Sequence, residues 1–329
     1  LFHANGWGFP QAAPLMGVTQ VMVRRFDPVN VMQLIERHRA TEMSIIPLMG
    51  NALLNVPEPG RFDLSSMRQI QIGGAASSPA LIERMEKLFH CDVFAGYGLT
   101  ESGPVLTMAR LKEKRLGRTD EERWKRQAST GWPIPGATLR VVDEQMRDLP
   151  KDGQSVGEIV ASSDWLMSEY YKDPEATAAV LTGPKGEPGG AAGERLWLHT
   201  GDMAVWDEEG YFTIVDRKKE IIISGGENIS SLEIEKVIYS HPAVLECAVV
   251  AVPDEHWGEV PVAVVYLKPG ELLIEDELLS YLSKRLGRFK MPKQVRFSEE
   301  PLPKTGTGKV KKREIREPFW KRHEKRVKG

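Results

Sequence analysis

Four short stretches of this 329-residue sequence bring together residue types that could do chemistry. In Gly96-Tyr97-Gly98-Leu99-Thr100-Glu101-Ser102, a hydroxyl and a carboxylate follow directly on two glycines at the end of a strand-like run. The glycines would let the backbone approach a ligand. Backbone N–H groups and Thr100 could hold a phosphate, and Glu101 could hold the Mg²⁺ that phosphate oxygens bring with them. A tight turn opening a helix would read the same way. Gly73-Gly74-Ala75-Ala76 also ends a strand-like run and is small enough to admit a flat ring against the backbone, or simply to turn the chain. His199-Thr200-Gly201-Asp202 offers a carboxylate to vicinal hydroxyls, as a ribose-binding carboxylate does, although T-G-D is equally an ordinary turn. Pro303-Lys304-Thr305-Gly306-Thr307-Gly308-Lys309 fails as a nucleotide phosphate loop, because Pro303 and Val310 stand where that loop needs Gly and Ser/Thr. What remains is a glycine loop presenting one lysine, or a solvated basic turn.

The elements that must carry these stretches alternate. Asp27-Pro28 opens a helix with Val31, Leu34, Ile35 and His38 at helical spacing. Met43-Ser44-Ile45-Ile46 reads as a strand closed by Pro47, and 68–72 as a second strand running into Gly73. Ser77-Ser78-Pro79 caps a helix with Leu81, Ile82, Met85 and Leu88 on one face, and 92–95 is a third strand. Strand, helix, strand with Gly-rich strand ends predicts an α/β layered sheet, whose ligands lie beyond the carboxyl ends of the strands. The densely charged 111–127 reads as a solvated helical arm. Short strands follow at Thr138–Val142, Gly157–Ser162, 203–206 and 211–215, the last two joined by a hairpin loop at 207–210, which makes a small β-rich subdomain. Residues 183–193 read as a flexible surface loop. Segment 216–230 joins D-R-K-K, a β-branched strand, a Gly pair and a helix capped by Ser231, and it reads as a hinge between two bodies. Beyond it, strands at 244–252, 260–267 and Gln294–Phe297 with a helix at 274–286 predict a compact α+β domain.

Composition narrows the class. The net charge of −2 is close to neutral, and no apolar run approaches the ~20 residues of a membrane-spanning helix. Cys91 and Cys247 form no metal-ligand spacing and read as two buried thiols in a reducing cytoplasm.

Taken together and in order, F-H-A-N-G-W, Y-G-L-T-E-S, T-G-D, D-R-K-K, S-G-G-E and P-K-T-G-T-G-K resemble the adenylate-forming superfamily of acyl-CoA synthetases, luciferases and peptide-synthetase adenylation domains. F-H-x-N-x-W near the start and W-x-x-x-P from Trp257 to Pro261 make the chain most similar to the fatty-acyl-CoA synthetases. The resemblance covers essentially the whole chain. It implies the C-terminal part of an AMP-binding large domain over 1–217 (α/β over 1–130, β-rich over 131–217) and a mobile C-terminal lid domain over 218–329. It also implies an ATP-dependent fatty acid–CoA ligase, which joins a carboxylate to the α-phosphate of ATP with release of pyrophosphate. Coenzyme A then takes the acyl group and AMP leaves. ATP, Mg²⁺ and coenzyme A are the implied co-substrates and cofactor.

The resemblance assigns roles by position. Gly73, Gly74, Ala75, Tyr97 and Gly98 would bracket the adenine, Thr100 would contact the α-phosphate and Glu101 would hold Mg²⁺. Asp202 would bind the ribose hydroxyls with support from Arg217, and Lys309 would be the catalytic lysine of adenylation. Lys219 would be the pivot about which the lid rotates, bringing the face of Ser224, Gly225 and Gly226 to the thioester step. His3 and Trp7 would stand at the acyl pocket, Trp7 as a gate or as a core aromatic. The family's Ser/Thr/Gly-rich phosphate loop is expected upstream of His3, so the chain is expected to be a C-terminal portion that by itself neither adenylates nor folds 1–130 stably.

Two rival readings stand beside this one. One is a ligase for a short, branched, aryl or sulfur-containing acid. The other is a nucleic-acid or membrane-surface binder built on the tail 304–329, where eleven Lys/Arg face three Glu beside Phe319 and Trp320. The ligase reading itself is compatible with peripheral membrane contact and with a homodimer, and expects no nucleic acid.

Overall fold

The computed structural model describes residues 8–112, 119–184, 186–188, 195–305 and 309–327, with side chains up to residue 321. His3 and Trp7 lie outside the described residues. The chain divides into two compact units, one holding Leu1–Thr200 and Ala204–Ile214, the other Gly201–Met203 and Val215–Gly329.

The first unit opens with helices α1 (Phe9–Met16) and α2 (Pro28–His38). Asp27 caps α2 by accepting from Asn30 N at 2.7 Å, with proline at the first helical position. Strands β1 (Glu42–Ile45), β2 (Gln69–Ile72), β3 (Asp92–Tyr97), β4 (Thr107–Met108) and β5 (Trp132–Pro133) form a sheet in that order. The first three run parallel and the last two antiparallel. Helix α3 (Pro47–Leu54) corrects the reading of Pro47 as only a strand stop. A proline that cannot continue a ladder is well placed at a helix start, and here it does both. Ser78 caps α4 (Pro79–Phe89) through Leu81 N at 3.1 Å. Leu81, Ile82, Met85 and Phe89 are buried against Ile70, Ile72 and Val93, with Leu88 at the margin of that core.

The charged arm is less solvated than its composition predicts. Residues 113–118 of it lie outside the described residues. Helix α5 (Asp120–Gln127) begins at a capping box between Thr119 and Glu122 and docks on the sheet layer. Trp124 donates to Glu86 at 2.9 Å, and buried Gln127 donates to the Val93 carbonyl at 2.8 Å.

A second sheet contains β6 (Thr138–Val142), β7 (Gly157–Ser162), β8 (Leu181–Thr182), β9 (Trp197–Trp206) and β10 (Phe212–Arg217), ordered β10-β9-β7-β6 with β8 beside β9. Helix α6 (Pro174–Val180) precedes β8. The hairpin expected at 207–210 is present, closed by Gly210 N on Asp207 O at 2.8 Å. The strand before it is longer than expected and takes in His199 to Asp202. Of the 183–193 loop, 185 and 189–193 lie outside the described residues, and Gly183 N bonds Glu187 O at 2.7 Å.

The second unit is a sheet of β11 (Ile222–Ser224), β12 (Glu227–Ile229), β13 (Val244–Asp254), β14 (Gly258–Leu267) and β15 (Gln294–Phe297), ordered β12-β11-β14-β13 with β15 beside β14. Helices α7 (Ser231–Tyr239), α8 (Glu275–Ser283) and α9 (Lys312–Val327) accompany it. Its core joins Ile222, Ile234, Ile238, Val249, Val265 and Leu282. The Gly pair of 216–230 is the turn of the β11–β12 hairpin, with φ of +58° at Gly225 and +87° at Gly226. Ser230, rather than Ser231, caps α7 by accepting from Glu233 N at 3.0 Å. Ser231 is the first helical residue and is fully buried. In the tail, Trp320 donates to Ala251 O at 3.0 Å and Arg296 stacks on Phe319 at 4.3 Å, so both aromatics rest on the unit's own sheet. Among the described residues, no helix is long and apolar enough to cross a membrane.

Candidate active site

In the first unit, the two glycine motifs become neighbours because β2 and β3 are parallel and end together, Ile72 opposite Ala95. Gly73 N donates to Ile45 O at 2.9 Å, and a Cβ on Gly73 would lie 3.4 Å from Gly96 O. The glycines of G-Y-G serve the chain's own packing. A Cβ on Gly98 would lie 1.8 Å from Pro104 O, and one on Gly96 would lie 2.4 Å from the Gln71 amide. The backbone returning through Gly103-Pro104 crosses so closely that no side chain fits at position 98.

Thr100–Ser102 form a single 3₁₀ turn. Buried Ser102 holds its base, accepting from Leu99 N at 3.0 Å and lying 2.9 Å from Leu99 O. Thr100 is left exposed at the apex and Glu101 half-buried. The Glu101 carbonyl accepts from Met167 N at 2.8 Å, and its carboxylate accepts from the Tyr170 hydroxyl at 2.8 Å. Burial, followed by the hydrogen bond to Glu101 and then its charge, pushes the Tyr170 phenol up to about 12, so it remains a donor across the neutral range. Trp165 seats the same loop. A Cβ on Gly103 would meet its carbonyl oxygen at 2.7 Å, and one on Gly136 its ring at 2.7 Å. Sequence reasoning missed this loop between β7 and α6. Its one signal was the aromatic run W-L-M-S-E-Y-Y.

The second unit collects Asp202, Arg217 and Lys309. Asp202 is buried in β9, and Arg217 Nε at the end of β10 lies 3.0 Å from its Oδ1. Gly201 before it has φ +69° and nothing within 4 Å of an added Cβ, so the chain is open on that side. His199 belongs to the sheet, its ring 3.2 Å from Glu158 and 3.1 Å from Thr182. Lys309 leaves a small hairpin: Thr305 N donates to Lys309 O at 2.8 Å, and Lys304 pairs with Val310. Gly306, Thr307 and Gly308 lie outside the described residues. Lys309 is exposed along much of its length, yet its amine end is crowded. That burial, followed by the Arg217 charge, lowers its pKa, while Asp202 and Glu220 pull the other way.

Lys219 sits on the exposed turn 218–220, which Arg217 O closes by accepting from Glu220 N at 2.8 Å. Ser224 faces Gly258 across β11 and β14, and Gly225 N donates to Trp257 O at 2.8 Å. A Cβ on Gly225 would lie 2.6 Å from the Trp257 ring. Among the described residues, no group of three or more His, Cys, Asp or Glu could hold a metal ion.

This chain belongs to the AMP-binding enzyme family. The family's profile matches residues 1–171, and that of the AMP-binding enzyme C-terminal domain matches 233–309. Among its relatives are a long-chain-fatty-acid–CoA ligase of Thermus thermophilus, 39% identical over 97% of this chain and 57% of its own length, and a 2-methylpropanoate–CoA ligase of Humulus lupulus, 42% identical over 95% and 54%. The chain thus spans little more than half the length of the curated relatives it matches. Its fold is shared with ATP-bound MatB from Rhodopseudomonas palustris, at TM-score 0.80 and 28% identity over 96% of this chain and 58% of that one. The amide bond synthetase McbA from Marinactinospora thermotolerans matches at TM-score 0.78 and 31% identity over 92% and 56%. These establish an adenylate-forming fold, with an α/β large domain followed by a small C-terminal domain.

Proposed function

We propose that the whole protein is an ATP-dependent acid–CoA ligase, with a fatty acid as its carboxylate. The observation that carries this reading is the meeting of Asp202, Arg217 and Lys309 in one charged cluster, a carboxylate for ribose hydroxyls beside a cation for phosphate. In the first half-reaction the carboxylate oxygen bonds to the α-phosphorus and the bond to pyrophosphate breaks, leaving acyl-AMP. In the second, the thiol of coenzyme A loses its proton to solvent, its sulfur bonds to the acyl carbon, the acyl–phosphate C–O bond breaks and AMP leaves with that electron pair.

Both steps build negative charge on phosphate or carbonyl oxygen, so positioned positive groups are the main catalytic resource. Lys309 supplies that charge in adenylation. Thr100 holds the α-phosphate, Gly73, Gly74, Ala75, Tyr97 and Gly98 bracket the adenine, and Arg217 steadies the Asp202 carboxylate on the ribose. Glu101 suits Mg²⁺, which neutralises phosphate charge. A single protein carboxylate, oriented by Tyr170, is what a magnesium ion carried mainly by phosphates requires. Lys219 is the pivot and Ser224, Gly225 and Gly226 the face of the thioester step.

The acid is the finer part of the proposal. The relatives include ligases named for a long-chain fatty acid and for 2-methylpropanoate at similar identity, which keeps a short or branched acid as the second reading. Acid-dependent ATP–pyrophosphate exchange by the full-length protein on palmitate, octanoate, acetate and 2-methylpropanoate tests both. The fatty-acid reading expects kcat/KM for octanoate or palmitate at least about tenfold above acetate. A preference for 2-methylpropanoate selects the second reading, and no exchange with any acid overturns the ligase.

A further inference from the structure

The second unit buries a charge cluster that the roles above leave unused. Lys312 opens α9, three residues after Lys309. Its ammonium donates to Ser231 Oγ at 2.7 Å, pairs with Glu235 at 2.8 Å and lies 3.4 Å from Glu220, and its side chain is only 14% exposed. Glu235 is buried in α7 and also accepts from Val249 N at 2.7 Å, which ties the pair to β13. Asp216, fully buried at the end of β10, accepts from Ser231 N and from its neighbour Arg217 N at 2.7 Å. One ammonium therefore joins the hinge turn, helix α7 and the foot of the lysine loop, while Asp216 of the preceding strand accepts from the start of the same helix.

Stability alone is a poor reason for such a cluster. Desolvating an ion pair costs several kcal/mol per ion, and an apolar side chain of the same size is often as stable or more so. A buried, directional pair does fix geometry. The other foot of the loop is held in the same manner: Glu246 pairs with Lys304 and accepts from Leu302 N at 3.0 Å. Each foot of the hairpin presenting Lys309 thus ends in a lysine–glutamate pair.

We propose that Lys312, paired with Glu235, is a positioning residue for adenylation: it pins the C-terminal foot of the loop to segment 216–220, so that the Lys309 ammonium stands with Asp202 and Arg217. The proposal rests on the ligase reading. Burial pulls the Lys312 pKa down, but Glu235 and then Glu220 more than reverse it, so the ammonium persists in the cluster.

The test uses the full-length protein as wild type, Lys312→Met, Lys312→Arg, and Lys312→Met combined with Glu235→Gln. The double change removes both charges and leaves an oxygen for the Val249 N–H, so it guards against a fold lost to an unpaired buried carboxylate. Adenylation is read as acid-dependent ATP–pyrophosphate exchange, and the second step as thioester formation from supplied acyl-adenylate. Displacement of a catalytic group by about 1 Å costs about 100-fold, so exchange kcat is expected to fall about 10- to 100-fold in the Met and double variants. The KM for ATP and the thioester step should stay within about twofold, which marks loss of an interaction made only in the transition state. Lys312→Arg, which keeps the cation, should restore most of the exchange. An active wild type whose double variant exchanges normally, or loses both half-reactions equally, overturns this proposal alone. A wild type without exchange overturns the ligase reading and this proposal with it.

Discussion

Lys309 and Glu101 are residues of opposite sign, and each meets a neighbour distant in sequence, Arg217 for the lysine and Tyr170 for the glutamate. Lys309→Ala in the full-length protein is expected to lower adenylation about 100- to 1000-fold, the scale of losing one preorganised charge-stabilising group. Thioester formation from supplied acyl-adenylate should survive, and equal loss of both steps would sink the assignment. Because burial and then Arg217 lower the Lys309 pKa, and the proposed role requires the ammonium, exchange should decline as pH rises through a value below the ordinary 10.5. Tyr170 acts through Glu101. Tyr170→Phe removes the hydroxyl that orients the carboxylate, and should raise the Mg²⁺ concentration needed for half-maximal exchange about tenfold. An unchanged Mg²⁺ titration would show Tyr170 to be packing only. The role proposed for Glu101 was read from its place after G-Y-G-L-T. Tyr170 gave no such signal, because a lone tyrosine in a loop carries no local sign of what it will touch.

At the scale of elements, the glycines divide into those that free space and those that yield it to other backbone. Gly98→Ala would set a Cβ 1.8 Å from the Pro104 carbonyl, so the turn must move. A loss of about 3 kcal/mol or more is expected, the upper end of overpacking. Gly201→Ala meets nothing within 4 Å and bears only the strain of φ +69°, worth about 1–2 kcal/mol. Thermal unfolding of the two variants in the full-length protein should rank them in that order, and the reverse order would refute the account. Most elements were legible because their signals are local. Asp27 and Ser78 cap helices, Pro28 and Pro79 open them, and the apolar spacing of Leu81, Ile82 and Met85 shows the buried face. The misses also have local causes. Pro47 reads as a stop until the chain beyond it turns helical, and Ser230 and Ser231 are equivalent caps in sequence until Asp216 takes the Ser231 N–H.

For the molecule as a whole, the buried cluster of the second unit predicts how stability follows pH. Burial raises the pKa of Asp216 above 3.8 and of Glu235 above 4.5, outweighing the pull of Lys312. Carboxyls raised on folding stabilise fully below those ordinary values, and the contribution is lost as pH rises through the folded ones. Lys312 is raised above 10.5, so its contribution holds up to that pH and is lost on passing through the folded value. The second unit should therefore weaken from mildly acidic pH upward and again at alkaline pH. Amide hydrogen exchange over 215–305 can follow its unfolding in the full-length protein. The Lys312→Met, Glu235→Gln double variant should flatten the alkaline limb and keep an acidic limb from Asp216, which loses the Lys312 charge that pulls its pKa down, and an unchanged alkaline limb would remove the cluster from the account.

What the sequence determined by itself is whatever neighbours in the chain decide: the caps, the alternation of strand and helix, the glycine-rich strand ends and the order of the motifs. Each depends on backbone preference or periodicity over a few residues. Only the tertiary structure decided that Asp202 pairs with Arg217 beside Lys309, that Tyr170 holds Glu101, that Gly98 yields to Pro104, and that Lys312 closes on Glu235 and Ser231. Those contacts join residues far apart in the chain. No local pattern encodes them, because their partners are chosen by strand pairing and by the packing of helices on the sheets.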